Sequence, residues 1–289
     1  MLHKIFWWFA NHTYKWWTDA LWLKMIYRQK MHRRLNIKEP KRFTEKLQWL
    51  KLHDRNPLYS TLVDKYEVKK FVAKIMGEEH IIQTIGVWNH FDEIDFDKLP
   101  NKFVIKCTHD SGNVIICKDK DTFNKEDAKN KLESSLKHNF YWWTREWPYK
   151  NVKGRIIAEE YMFNKGHEND ALTDYKFYCF GGEPKIVMVS SGRFQGNLCF
   201  DYYDMEWHKL PLVWDKPNSN IDHPKPKTFD EMIGICKKLS KNIPHVRIDL
   251  YDIFGIIYFG EFTFYDSGGY CVFSPDDWDY KLGNLITEC

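Results

Sequence analysis

The chain has 289 residues, 43% hydrophobic and 29% charged, so it can bury the core of one large domain or two small ones. Its net charge of +3 is too small to indicate nucleic-acid binding, and none of its seven cysteines forms a Cys-x-x-Cys pair, which argues against a zinc site or a disulfide framework. No apolar run is long enough to span a bilayer, and unpaired cysteines suit the reducing cytoplasm, where we expect the protein to lie.

Residues 1–50 form a region in which large aromatic side chains alternate with basic ones. A series of lysines and arginines that ends at residue 34 is preceded or flanked by five tryptophans: Trp7, Trp8, Trp16, Trp17 and Trp22. This composition predicts a helical segment with two open interpretations. The segment could lie on an anionic membrane, at the inner face of the cell membrane, or its aromatic stripe could pack on the rest of the domain.

Residues 51–100 form a second, smaller region. Apolar residues recur at helical spacing from Leu62 to Met76, with Lys65 near the start and Gly77 as a stop signal, so a helix is expected there. Residues 81–88 predict a short strand. Lys65 could equally belong to a solvated helix face.

A strand, a polar loop and a second strand follow at the start of the main region, residues 101–289. Residues 102–106 end in Lys106, and the loop 107–113 leads into a strand at 114–117. A hairpin loop of this kind can bring backbone N–H groups and a lysine to phosphate oxygens. An ordinary β-hairpin is the alternative, because the loop contains a single glycine and lacks the helix that a Walker loop requires.

The middle of the chain alternates helical and strand patterns. Helices are expected at 127–140 and 228–242, and strands at 155–162, 174–180 and 185–190. An aromatic connection at 141–149 could face a substrate or pack internally. Strand runs with intervening helices and adjacent hairpins are typical of an α+β fold.

The segments 246–251 and 256–263 predict a β-hairpin with a turn at 252–255. Alternation places Arg247 and Asp249 on one strand face and Glu261 and Thr263 on one face of the other. In the right register a cation, two carboxylates and a hydroxyl converge, and a hard cation such as Mg²⁺ would relieve the repulsion between the carboxylates. The alternative is an Arg–Asp salt bridge with an unrelated glutamate.

Taken together, these segments resemble the ATP-grasp superfamily, and most closely the TupA-like ATP-grasp proteins of teichuronopeptide and capsular polysaccharide biosynthesis. The resemblance runs from about residue 30 to the end and is carried by four motifs: Phe43 to Leu50 (FTEKLQWL), Lys106 to Gly112 (KCTHDSG), Asp174 to Phe177 (DYKF) and Gly260 to Phe264 (GEFTF). It implies an ATP-grasp fold in which two α+β subdomains grip ATP, a lid of about 101–158 and a magnesium-binding, catalytic subdomain of about 159–289.

The resemblance also implies a role for each site residue. Arg247, Lys106 and Arg193 would be catalytic. Asp249, Glu261 and Thr263 would hold Mg²⁺, with threonine where many ATP-grasp enzymes have asparagine. The residues that would bind ATP are Lys65, Lys106, His109, Asp110, Ser111, Gly112, Glu159, Glu160, Tyr161, Met162, Asp174 and Lys176.

The implied reaction is ATP-dependent ligation of a carboxylate to an amine through an acyl phosphate. The implied partners are an acidic sugar or polysaccharide and an amine or amino acid. Alternatives are a glycosyltransferase using the Asp-x-Asp sequence at 95–97, a kinase with a hydroxyl acceptor, and a membrane-bound nucleotide-binding scaffold. Asp249 and Glu261 are both present, which argues against a degenerate site.

Overall fold

The computed structural model describes residues 7–8, 10, 12–163, 172–192 and 196–289. Its helices are α1 (Asp19–Met31), α2 (Phe43–His53), α3 (Leu58–Val63), α4 (Glu67–Met76), α5 (Lys125–Leu136), α6 (Tyr141–Thr144), α7 (Phe229–Leu239) and α8 (Asp277–Gly283). Its strands are β1 (Thr84–Trp88), β2 (Phe103–Cys107), β3 (Ile115–Cys117), β4 (Ile156–Glu160), β5 (Asp174–Phe180), β6 (Glu183–Ser191), β7 (Cys199–Tyr203), β8 (Val213–Trp214), β9 (His245–Ile253), β10 (Ile256–Thr263) and β11 (Phe273–Ser274). The fold is therefore α+β.

The first sheet is antiparallel and has the order β1-β4-β2-β3. Its core contains Phe103 and Ile105 of β2 together with Ala128 and Leu132 of α5, all nearly inaccessible to solvent. The strand predicted within 81–88 is β1 of this sheet. The sheet therefore begins before residue 101, where the lid was expected to start.

The second sheet is also antiparallel, with the order β10-β9-β5-β6-β7. Val246, Ile248 and Leu250 of β9 are fully buried on one face, and Arg247 and Asp249 alternate with them toward the other. The strand propensities of these β-branched and aromatic residues explain the long central strands. Helix α7 covers the apolar face, where the rings of Phe229 and Phe177 lie 5.8 Å apart.

The β9–β10 hairpin forms as predicted, and a bulge sets its register. Phe254 and Gly255 both have positive φ (57° and 81°), as a tight two-residue turn requires. Leu250 pairs with Phe259, but Asp249 pairs with Glu261, so Gly260 is the extra residue. The bulge moves Glu261 away from the apolar face of Phe259 and onto the face of Asp249.

The helix expected over 62–76 is wrong at one point, because residues 64–66 separate α3 from α4 and place Lys65 in a turn. The cause is Asp64, whose Oδ1 accepts the backbone N–H groups of Tyr66 (2.8 Å) and Glu67 (3.1 Å) and so starts a new helix. The N–H of Lys65 donates to the carbonyl of Thr108 (3.0 Å), which joins the turn to the end of β2.

The helix expected over 127–140 is also shorter than predicted. It ends at Leu136, and α6 follows as a separate turn. Asn139 supplies the physical reason, because its side-chain oxygen accepts the N–H of Tyr141 (3.0 Å) and starts that turn.

The N-terminal aromatic segment is partly packed and partly exposed. Trp22 is fully buried and donates its indole N–H to the carbonyl of Trp143 (2.9 Å), with the two rings 5.4 Å apart. Trp16 is 82% exposed and Leu21 is 53% exposed. Within the described ranges, no helix combines the length and apolarity that a membrane crossing requires.

Helix α2 connects the N-terminal part of the chain to its C-terminal end. The backbone N–H and the hydroxyl of Thr44 both donate to the buried carboxylate of Asp279 on α8, at 2.9 and 3.0 Å. On the same helix, Gln48 donates to the carbonyl of Gly269 (2.8 Å) and Lys51 to that of Gly268 (2.7 Å). Helix α2 thereby fixes the loop that follows β10.

Candidate functional site

One guanidinium, that of Arg247, gathers three carboxylates at the polar face of the second sheet. It donates to Asp249 from Nε (2.7 Å) and Nη2 (2.9 Å), to Glu261 from Nη2 (2.9 Å) and to Asp266 from Nη1 (2.8 Å). The hydroxyl of Thr263 donates to Glu261 (3.0 Å). The residues that the sequence places on two strand faces therefore do converge.

Lys176 of β5 is the second cation of this cluster. It contacts Asp249, its cross-strand partner, and lies 2.5 Å from Asp174. Burial disfavours the charge on Lys176, but the attraction of Asp249 together with that of Asp174 and Glu261 outweighs it and raises the pKa of the amine. Burial likewise opposes the charge on Asp249, and the attraction of Arg247 and Lys176 lowers the pKa of that carboxyl.

The chemistry of the donor set fits a hard divalent cation. Four carboxylates surround the two cations Arg247 and Lys176, so the cluster has an excess of two negative charges. They belong to Asp249, Glu261, Asp266 and Asp174. Oδ1 of Asp174 is buried and has no hydrogen-bond partner among the residues that the structure describes. Carboxylate and hydroxyl oxygens are the ligands that Mg²⁺ prefers.

Three lysines lie between the first sheet and the β9–β10 hairpin: Lys106 on β2, Lys69 on α4 and Lys65 in the turn before α4. Glu159 of β4 accepts Lys106 (2.5 Å) and Lys69 (2.6 Å), so two cations share one carboxylate. Burial opposes the charge on Glu159, yet Lys106 and Lys69 together lower its pKa. Burial lowers the pKa of Lys65, although the charge of Glu261 opposes that shift.

A narrow cavity of about 50 Å³ lies between the lysine-bearing sheet and the β9–β10 hairpin. Its lining includes Lys65, Lys106 and Glu159 on one side and Phe259 and Gly260 on the other. The lysines thus face the hairpin that carries Arg247 and Glu261, and the charge of Glu261 acts on Lys65.

The polar loop after β2 is held at its base and exposed at its tip. The carbonyl of Asp110 accepts Lys65, and its carboxylate accepts Ser135 and Asn113. Ser111 and Gly112 are exposed, and Gly112 has a φ of 96° that suits glycine. His109 is buried, and its Nε2 lies 3.1 Å from the carbonyl of His138.

The remaining predicted residues lie at the edges of the site. Glu160 is exposed at the end of β4, and Tyr161 and Met162 follow it in an irregular segment. Arg193 lies outside the described residues. Asp95, of the Asp-x-Asp sequence, caps a short helical turn and pairs with Lys98 (3.0 Å), which accounts for it structurally.

Sequence reasoning missed Lys69 and Asp266. Lys69 lies four residues after Lys65 on a helical pattern, so its partnership with Lys106 could have been suspected from spacing. Asp266 follows the hairpin in a turn whose position depends on Gln48 and Lys51 of α2. The residues around Asp266 contain no sequence pattern that would predict this position.

Lysines beside one sheet and carboxylates on the other, in an α+β chain, are the arrangement expected of the ATP-grasp class. The sequence profile of the family described as TupA-like ATPgrasp matches residues 45–287, and the chain belongs to that family. By family it is an ATP-binding enzyme of the ADP-forming carboxylate–amine ligase class.

Solved structures with similar backbones include ATP-grasp ligases. D-alanine–D-alanine ligase from Bacillus anthracis has a TM-score of 0.43 at 17% identity, covering 82% of this chain and 72% of its own. The Helicobacter pylori enzyme has a TM-score of 0.44 at 15% identity, covering 86% and 68%. An ADP complex of N5-carboxyaminoimidazole ribonucleotide synthetase has a TM-score of 0.43 at 11% identity, covering 76% and 50%. No curated protein matches the sequence.

Proposed function

We propose that this enzyme uses ATP to convert the carboxylate of an acidic sugar, in a cell-surface polysaccharide, into an acyl phosphate that an amine or amino acid attacks. The observation that carries the proposal is the cleft itself. Lys65, Lys69 and Lys106 line one side, and the other side is formed by Phe259 and Gly260 of the β9–β10 hairpin, which also carries Arg247 and Glu261. Phosphoryl transfer depends mainly on positioning and on charge neutralisation, which such a cleft supplies.

In this proposal Lys65 and Lys106 bind the phosphate oxygens, and the loop 109–113 covers them. Residues Glu159 to Met162 flank the adenine edge, and Asp174 and Lys176 lie near the ribose. Arg247 stabilises the negative charge of the transferring phosphoryl group and of the tetrahedral intermediate that follows. Arg193, outside the described residues, is retained from the sequence as a catalytic candidate.

Asp249 and Glu261, with Thr263, are the proposed ligands of Mg²⁺. When bound, the ion would neutralise the phosphate oxygens. The negative charge that Arg247 and Lys176 leave uncompensated supports this assignment, and Asp266 adds a carboxylate that the sequence did not indicate.

A polar groove supports the sugar part of the proposal. It has a volume of about 490 Å³, begins at Asp110 and Ser111, and is lined mainly by hydroxyl and amide side chains and one aromatic ring: Asn113, Asn130, Ser134, Ser135 and Phe140. Hydroxyls and amides hydrogen-bond sugar hydroxyls, and an aromatic ring can cover the apolar face of a sugar ring.

The test is a reaction of the purified protein with Mg-ATP, hydroxylamine, and either glucuronate or galacturonate. Hydroxylamine intercepts an acyl phosphate as a hydroxamate, so ADP, phosphate and hydroxamate should rise together only when the uronate is present. ADP without free phosphate would indicate a kinase. Untouched ATP, with a nucleoside diphosphate released from a sugar donor, would indicate a glycosyltransferase. The absence of any turnover would favour the scaffold.

Contact with the inner face of the cell membrane is also part of the proposal. Leu21, Lys24 and Arg28 are exposed at one-turn intervals of α1, and the exposed Trp16 and Lys15 precede them. An aromatic and basic surface suits the interface of anionic lipid.

A flotation experiment tests this contact. The full-length protein should float with anionic vesicles and sink with neutral ones, and Trp16→Ser combined with Leu21→Ser should reduce flotation at least fivefold. Ile221→Ser, an exposed residue elsewhere (62%), is the matched control. Equal flotation of the double variant and the control would favour internal packing as the role of this segment.

A further inference from the structure

A cavity of about 350 Å³ opens beside the guanidinium of Arg247, and Asp110 and Ser111 of the loop after β2 line it together with Lys30 of α1. Glu261, Thr263 and Asp266 line its reactive end. The remainder is built largely by aromatic side chains that the sequence analysis left unassigned: Phe140, Trp143, Tyr149, Tyr265 and Tyr270. The volume suits a small molecule or the end of a larger one.

Glu146 is the acidic residue on the aromatic wall of this cavity. Glu146 is 5% exposed. Its Oε1 lies 3.9 Å from the position that a Cβ atom on Gly268 would occupy, so the carboxylate is next to the loop that carries Asp266. No lysine or arginine within the described part of the chain forms an ion pair with it; Lys51 attracts it from beyond that contact distance. A buried carboxylate without a paired cation is costly, so such a group points to a ligand that supplies the cation.

The backbone at Arg145 aims Glu146 into the cavity. Arg145 has a positive φ of 58° and is 1% exposed, and its guanidinium donates to the carbonyl of Tyr14 (2.5 Å) and pairs with Asp19 (3.2 Å). The left-handed conformation reverses the chain, so neighbouring side chains diverge. Arg145 anchors the N-terminal segment while Glu146 enters the cavity wall.

We propose that this cavity is the subsite of the amine substrate, in which Glu146 binds a primary ammonium group surrounded by aromatic rings. A carboxylate provides the counter-charge, and the faces of Trp143 and Tyr149 attract a cation at short range. Burial raises the pKa of Glu146 to about 7, which also suits proton transfer near neutral pH.

The step that follows is balanced without another reactant. The ammonium gives one proton to the carboxylate of Glu146 and becomes a neutral amine. Its nitrogen lone pair attacks the acyl carbon, a C–N bond forms, and the C–O bond to phosphate breaks with phosphate as leaving group. The second N–H proton departs with phosphate, and Glu146 returns its proton to solvent.

This inference deepens the proposed ligase function and rests on it, so its test is made without nucleotide or sugar. Full-length protein is titrated with ethylamine hydrochloride in ligand-observed NMR, and separately with sodium acetate as a probe of opposite charge. Glu146→Gln should weaken ethylammonium binding at least tenfold and leave acetate binding unchanged. Glu231→Gln, the same change on an exposed glutamate of α7, should match the wild type.

Glu146→Asp retains the charge but withdraws it by one methylene group, so it should weaken ethylammonium binding less than Glu146→Gln does. Circular dichroism melting establishes that each variant is folded. Equal ethylammonium affinity in the wild type and both variants would overturn the subsite, as would a folded wild type that binds acetate but no ethylammonium. A missing hydroxamate with intact ethylammonium binding would instead overturn the ligase proposal and leave this cation site standing.

Discussion

Replacing the carboxylates of the cluster by amides should separate their structural and functional roles. Asp249 is 1% exposed, and it receives two hydrogen bonds from Arg247 and one from Lys176. The side chain of Glu261 is 43% exposed and receives one from Arg247. Both changes should abolish ligation if both residues hold Mg²⁺, but their costs in stability should differ.

The difference follows from burial. Asp249→Asn removes the one carboxylate that contacts both buried cations, and removing one partner of a buried ion pair costs about 3–5 kcal/mol. Asp174 and Asp266 still contact Lys176 and Arg247, so about 3 kcal/mol is expected. Glu261→Gln removes a solvent-screened ion pair, which is worth about 0.2–1 kcal/mol.

Urea denaturation at pH 7 measures both costs. A lower midpoint with an unchanged slope gives the change in the free energy of unfolding. Equal losses in the two variants, or a larger loss for Glu261→Gln, would refute the assignment of Asp249 to a buried charge network. If either folded variant keeps near-normal magnesium-dependent activity, that residue is not a required ligand.

Two further predictions concern charge at other points of the cleft. Lys106→Ala should weaken binding of a non-hydrolysable ATP analogue by about 10- to 100-fold in calorimetry, because a charged hydrogen bond is worth about 1.5–3 kcal/mol. Lys98→Ala, which changes an exposed lysine (84%), is the control. Unchanged affinity in Lys106→Ala would remove Lys106 from the site. The pKa of Glu146 is raised above its unfolded value, mainly by burial, and the charged or polar neighbours of this carboxyl are Lys51, Asp266 and Thr144. The native state should therefore lose stability, relative to Glu146→Gln, as the pH rises from about 4.5 to 7. The loss should reach up to about 3 kcal/mol and then level off. Parallel urea curves from pH 5 to 8 check this, and a constant difference would contradict it.

The hairpin could be predicted because strand alternation is a local property. Arg247 and Asp249 are two residues apart, so their common face follows from the pleat alone. Lys65 shows the limit of such patterns. Apolar spacing continued through residues 62–76, but the Asp64 side chain competes for the backbone N–H groups that a continuous helix would use.

Asp266 and Glu146 lay beyond sequence reasoning for a different reason. Each is positioned by a distant element: Asp266 through hydrogen bonds from α2, and Glu146 through the anchoring of Arg145 to the N-terminal segment. Contacts between residues more than a hundred positions apart produce no periodic pattern in the sequence. The aromatic stretch 141–149 could therefore be noticed, but its place in a cavity could not.

The bulge at Gly260 makes the site depend on chain length as well as on residue identity. If the strand continued without the bulge, Gly260 would pair with Asp249, and every side chain from Glu261 onward would pass to the opposite face. A carboxylate would enter the apolar core, and Phe262 would face Arg247. A gap placed at Gly260 in a sequence alignment would therefore keep Glu261 opposite Asp249, whereas a regular strand that retained Gly260 would place Glu261 opposite Ile248.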